Sequence, residues 1–78
     1  MVPSQYYTFV PQLSMRYNVS YLEDKESWTW DATTITSKPQ LLALSSKTFD
    51  TPEEAKEMCE KWHGNVIKAP IQGWTAIT

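Results

Sequence analysis

From Tyr17 onward the chain alternates: Tyr17, Val19 and Tyr21 point one way, Asn18 and Ser20 the other. The polar run Glu23-Asp24-Lys25-Glu26 interrupts this pattern, and Ser27-Trp28-Thr29-Trp30-Asp31-Ala32 resumes it. Pairing Leu22 with Ser27 across the loop sets Tyr21 opposite Trp28, Val19 opposite Trp30 and Tyr17 opposite Ala32. All six then share one face. A one-residue slip would invert the pattern, so the two runs predict an antiparallel hairpin. Thr33 to Thr36 stay β-prone until Ser37-Lys38-Pro39-Gln40 breaks the run. A third strand is expected within Leu41 to Phe49. Two registers are open to it: a tight turn sets Leu42 and Leu44 beside Ile35 and Thr33, away from the tryptophans, whereas a wider loop brings both leucines to the tryptophan side.

The period changes at Thr51-Pro52-Glu53-Glu54-Ala55. Thr51 can cap free N–H groups, Pro52 suits the first helical position, and Glu54 completes a capping box three residues on. Glu53 and Glu54 also face the positive end of the helix dipole. A helix is expected from about Pro52 to His63, with Ala55, Met58, Cys59 and Trp62 as its apolar stripe. Lys56, Glu57, Glu60 and Lys61 form its wet side. Gly64 is placed to be the left-handed residue just past the end, and Asn65-Val66-Ile67-Lys68-Ala69 could add a last strand before Pro70.

Residues 1–14 carry Pro3 and Pro11 around Tyr6, Tyr7, Phe9 and Val10, which suits an edge strand or an extended arm. Pro11 argues against a central strand because it cannot donate to a ladder. Met15-Arg16-Tyr17 also reads as an alternative start. The expected organisation is an arm or edge strand over 1–14, a single domain over 15–69 and a tail over 70–78. The expected fold is α+β: a small antiparallel meander of three to four strands with one helix across the tryptophan face.

Composition narrows the function. Seventy-eight residues support one small core, with four Trp, four Tyr and two Phe to fill it. Seven basic and nine acidic side chains give a net charge of −2, and no run of like charge exceeds two residues. This fits neither a polybasic nucleic-acid arm nor a heavily acidic DNA mimic. The single Cys excludes an internal disulfide. No apolar stretch approaches the roughly 20 residues that cross a bilayer. Asn18-Val19-Ser20 fits the glycosylation sequon, but without a secretory signal it reads as chance, and the expected location is cytoplasmic.

Little in the chain suggests chemistry. Cys59 and His63 share a helix face at i, i+4, yet a zinc site needs four ligands and the chain holds no further Cys or His. A thiol in an apolar stripe is also a poor nucleophile. Core cysteine and helix-end histidine is therefore the expectation. The carboxylate pairs Glu23/Asp24, Glu53/Glu54 and Glu57/Glu60 are explained by a turn, a helix start and a solvated face. With only Gly64 and Gly73, the chain has no phosphate-cradling loop. No catalytic residue, cofactor or metal is expected.

Three strands followed by a helix, joined through Phe49-Asp50-Thr51-Pro52-Glu53-Glu54-Ala55, resemble the plant AP2-type DNA-binding domain over roughly residues 27 to 63. Phage-integrase arm-binding domains are similar. The resemblance implies a sheet that reads DNA through basic side chains on its strands. Residues 26–37 contain no Lys or Arg, and only Lys38 and Lys47 follow before the helix. Phosphate contacts supply most of the affinity in such complexes, so this departure makes nucleic-acid binding the second reading.

The first reading starts from surplus. One helix covers one face of a sheet, and Leu41/Leu42/Leu44, Tyr6/Tyr7/Phe9 and Ile71/Trp74/Ile77 exceed what a monomer of this size leaves bare. The expectation is a non-enzymatic, small intracellular protein-binding module. It would act as a phage- or mobile-element-type inhibitor or modulator of a host protein, or as a homodimeric accessory protein. Tyr6, Tyr7, Phe9, Leu42, Leu44, Trp74 and Ile77 are its candidate partner-binding residues. No membrane association is expected.

Overall fold

The computed structural model describes residues 4–66 and 73–77. Its elements are β1 (Gln5–Val10), a 3-10 turn (Pro11–Leu13), β2 (Met15–Leu22), β3 (Ser27–Thr34), β4 (Leu41–Leu44), α1 (Pro52–Val66) and β5 (Thr75–Ile77). The strands form one antiparallel sheet in the order β4-β3-β2-β1-β5. The first four make the expected meander, and the fifth adds itself beside β1 after the helix. One helix packs on the sheet, so the fold is a small α+β layer pair.

The β2–β3 hairpin has the register that its loop length and alternation predict: Leu22 opposite Ser27, Tyr21 opposite Trp28, Val19 opposite Trp30 and Tyr17 opposite Ala32. Its turn is closed by the Lys25 N–H to the Leu22 carbonyl at 3.2 Å and the Glu26 N–H to the Glu23 carbonyl at 3.4 Å. Glu26 takes a left-handed φ of 48° to re-enter the sheet.

β1 lies inside the described sheet, between β2 and β5. Pro11 does not obstruct this, because it stands beyond the last paired residue, Val10, and opens the 3-10 turn. Ser14 closes that turn with φ 49°, donating its N–H to the Pro11 carbonyl at 3.2 Å.

β4 follows neither anticipated register. Leu44 is opposite Asp31, Ala43 opposite Ala32 and Leu41 opposite Thr33, so Leu42 is the extra residue of a β-bulge. Asp31 and Thr33 alternate with Trp30, which puts Leu41 and Leu44 on the side away from the tryptophans. The chain then continues beside β3 as far as a bridge between Phe49 and Trp28.

The helix begins as expected, with Thr51 Oγ1 accepting from the Glu54 N–H at 3.2 Å. Its end differs. It runs through Gly64 to Val66, and no glycine among the described residues has positive φ. Asn65 and Val66 are thus helical rather than the start of a strand; 67–69 lie outside the described residues. The buried face also differs by one position. Ala55 and Cys59 are fully buried and Trp62 packs on the core, but Met58 is exposed and His63 is buried instead.

Val10, Met15, Tyr17, Val19, Trp28, Trp30, Ala32, Phe49, Ala55 and Cys59 form one core between helix and sheet. Trp30 meets Trp62 with ring centres 5.5 Å apart. The tryptophans of β3 are the floor on which the helix sits.

Candidate functional site

Beneath the helix, Tyr17 from the middle of β2 reaches His63 in the last turns of α1, with the phenol oxygen 2.5 Å from Nδ1. The two rings meet edge to face at 5.3 Å, and Trp62 closes on Tyr17 in the same manner at 6.1 Å. Cys59 and Thr8 are buried in the same layer. Burial pushes the Tyr17 phenol well above its usual range, and the neighbouring Cys59 adds to this. Burial likewise pushes the Cys59 thiol up, reinforced by the carboxylates of Glu60 and Asp31. Both groups are therefore neutral and enclosed, an arrangement suited to fixing the helix on the sheet rather than to nucleophilic attack. Among the described residues no three His, Cys, Asp or Glu side chains converge as a metal site would require.

The candidate partner-binding residues separate into three places. Tyr6 and Trp74 lie half-buried on the helix side and already have partners. Tyr6 packs on Trp28 at 5.9 Å and carries the Lys56 ammonium 3.6 Å above its ring, while Trp74 Nε1 donates to Glu60 Oε1 at 3.0 Å. Tyr7, Phe9 and Ile77 share the opposite face, left uncovered by the described elements, since Tyr7 and Phe9 alternate with Tyr6 and Thr8, and Ile77 is opposite Gln5. Tyr7 and Phe9 meet at 5.2 Å, and the Arg16 guanidinium lies 4.6 Å from the Tyr7 ring centre. Leu42 and Leu44 belong to β4, three strands away from β1. That separation is about 14 Å at the spacing of paired strands.

Between the two apolar ends of the uncovered face runs a polar centre. Asn18 Nδ2 donates to Asp31 Oδ1 at 2.8 Å across the β2–β3 pair. Ser20, Thr29 and Thr33 stand on the same side by alternation. Arg16 is the one basic side chain that the four strands of the meander carry on it. Trp28 and Trp30, the residues that could stack on bases, are 7% and 5% exposed on the other face.

β4 stands apart. Leu41, Leu42 and Leu44 are 61%, 49% and 60% exposed, on a strand that has β3 on one side and no described strand on the other. Leu41 belongs to the surplus run Leu41/Leu42/Leu44 seen in the sequence but is not among the seven candidate partner-binding residues, and it is the most exposed of the three. After β4, Ser45 is pinned to β3: its N–H donates to the Trp30 carbonyl at 2.9 Å, and its Oγ lies 2.6 Å from Thr29 Oγ1. The segment from Ser45 to Lys47 separates two open grooves of about 290 and 530 Å³. The first, toward the helix, includes Lys47, Met58, Lys61 and Trp62. The second, toward the uncovered face, includes Leu22, Lys25, Leu44 and Lys47.

No protein-family model, curated protein or solved structure matches this chain. No helix among the described residues is long and apolar enough to cross a membrane.

Proposed function

We propose that the chain is a non-enzymatic protein-binding module that engages a foreign protein through the β4 edge and the grooves beside it. This is the action expected of a small inhibitor or modulator of a host protein. One observation carries the reading: three leucines on an edge strand are half or more exposed, in a protein whose helix, core and opposite sheet edge make no use of them. The strand is short and bulged, which limits open-ended pairing, but its bare leucines are apolar surface that a partner can cover. The buried Tyr17–His63–Cys59 layer supports the non-enzymatic half, because its polar groups serve the packing of helix on sheet.

The test is affinity capture from the native host with the wild-type chain and with the surface variant Leu42→Glu/Leu44→Glu. A protein retained by the first and lost by the second is the expected result. Equal retention by both, or none by either, overturns the reading. A low-salt gel shift with DNA and RNA is the companion measurement, and binding there would revive the nucleic-acid alternative.

A further inference from the structure

Charge is distributed unevenly along the β4 segment, where Asp31 opposite Leu44 is the acidic neighbour across the β3–β4 pair. No acidic residue occurs between Asp31 and Asp50, although the chain as a whole carries nine against seven basic ones. Lys38 and Lys47 bracket the uncharged run from Pro39 to Ser46. Both grooves flanking residues 45–47 repeat this bias: Lys47 and Lys61 line one, Lys25 and Lys47 the other, and among the described residues no acidic side chain lines either. The backbone adds direction. Ser45 turns its N–H toward Trp30, so by strand alternation Leu44 turns its own N–H and carbonyl away from β3, to the free edge.

Resting on the protein-binding reading above, we infer that β4 docks an extended, acidic segment of the partner. The segment adds a strand beside Leu42 and Leu44 and places its carboxylates over Lys25, Lys47 and Lys61. Main-chain hydrogen bonds along the edge give affinity, the exposed leucines take alternate apolar side chains, and the lysines select for negative charge. A second copy of this chain is a poorer occupant. Two β4 strands meeting antiparallel bring the Lys38 end of one against the Lys47 end of the other, cation beside cation. The tether of Ser45 to Thr29 and Trp30 holds the divider between the grooves in place before anything binds.

A random peptide display library panned against the full chain supplies the probe. Enriched peptides are expected to alternate apolar residues with Asp or Glu. A synthetic peptide of enriched sequence should slow amide exchange at Leu44. Its affinity should fall at least about tenfold in Lys25→Glu/Lys47→Glu and with rising salt. Leu44→Pro should abolish binding, since it removes an outward N–H and leaves the β3 ladder intact; a thermal melt verifies that it folds. If it does not fold, Leu42→Lys provides the same test through a side chain. Enriched peptides that lack acidic residues, ignore the lysine reversal or protect Tyr7 and Phe9 overturn this inference and leave the wider protein-binding reading standing. No enrichment also overturns it, and the host capture above decides the wider reading independently. A dimer by sedimentation that Leu44→Pro dissolves assigns the edge to a second copy, and equally overturns the acidic partner.

Discussion

The two faces of this sheet are built from the same strands, yet they differ in nearly every physical respect. On the helix side, Tyr17, Val19, Trp28, Trp30 and Ala32 are enclosed, and the buried phenol and imidazole are bonded to each other. On the other side, Asn18, Asp31 and Arg16 form a polar centre between Tyr7/Phe9 at one end and Leu41/Leu44 at the other. Alternation assigns residues to faces, but only the helix makes one of them a core. Aromatic side chains concentrate on the covered face: Tyr17, Trp28, Trp30 and Phe49 all belong to the core. Most of the aromatic side chains hold the helix on the sheet, while Phe9 is partly exposed on the other face and the most exposed of the large apolar residues, Leu41 and Leu44, stand on an edge.

Mutations that compare the faces should differ most at their centres. Trp30→Ala is expected to lose about 3–5 kcal/mol in urea denaturation, while Leu44→Ala changes stability by about 0.5 kcal/mol or less. Equal losses would mean that β4 is covered in solution. Tyr17→Phe removes the buried hydrogen bond to His63 Nδ1 and should cost about 1–3 kcal/mol, against about 0.5 kcal/mol or less for Tyr7→Phe on the open side. Similar costs for the two would break the distinction between faces.

Alkaline pH gives a third contrast. Cys59 and Tyr17 have folded-state pKa values raised by burial, so the unfolded chain releases their protons first as pH rises. Below about pH 9, the usual thiol value, neither state has ionised and the groups contribute no pH dependence. Above it the unfolded state binds fewer protons than the folded one. Stability should then fall by about 1.4 kcal/mol per pH unit, with Tyr17 joining above about pH 10. Urea melts from pH 7 to 11 measure this, and Cys59→Val should remove the earlier phase. A thiol reagent that labels folded Cys59 as fast as a free cysteine would show that the covered face is not closed.

Two smaller effects sharpen the picture. Gly64 is helical, with nothing within 4 Å of where a Cβ would sit, so Gly64→Ala should stabilise by about 0.5–1 kcal/mol. If Gly64 were instead a left-handed terminator, the same change would destabilise. Ser27 is buried, and its Oγ has no hydrogen-bond partner. Ser27→Ala should therefore be neutral or stabilising by about 0.5 kcal/mol, an unusual result for a buried polar position. A loss of 1 kcal/mol or more would reveal a partner for that hydroxyl.

Sequence made the β2–β3 hairpin and the start of the helix legible, because both are local. Loop length and alternation fix the hairpin's register, and Thr51, Pro52 and Glu54 fix the cap within four residues of chain. The three apolar runs expected to meet a partner were recognised as surplus, but their sorting was not visible. Tyr6 and Trp74 close the helix side, Tyr7, Phe9 and Ile77 stand on the open side, and Leu42 and Leu44 occupy an edge. Alternation separates Tyr6 from Tyr7, but nothing local says which of the two the helix will cover.

The sequence by itself determined the α+β class, the tryptophan floor, the pairing of Tyr17 with Ala32 and the point where strand gives way to helix. Each depends on side-chain period or capping over a few residues. Only the tertiary structure decided that β1 sits inside the sheet, that Leu42 is a bulge, that the helix continues past Gly64, and that His63 is a core residue. Those outcomes depend on contacts between distant segments. Tyr17 lies 46 residues from His63 and draws it inward by a hydrogen bond that no local pattern encodes. The β4 register likewise includes a bulge at Leu42 that no local alternation encodes.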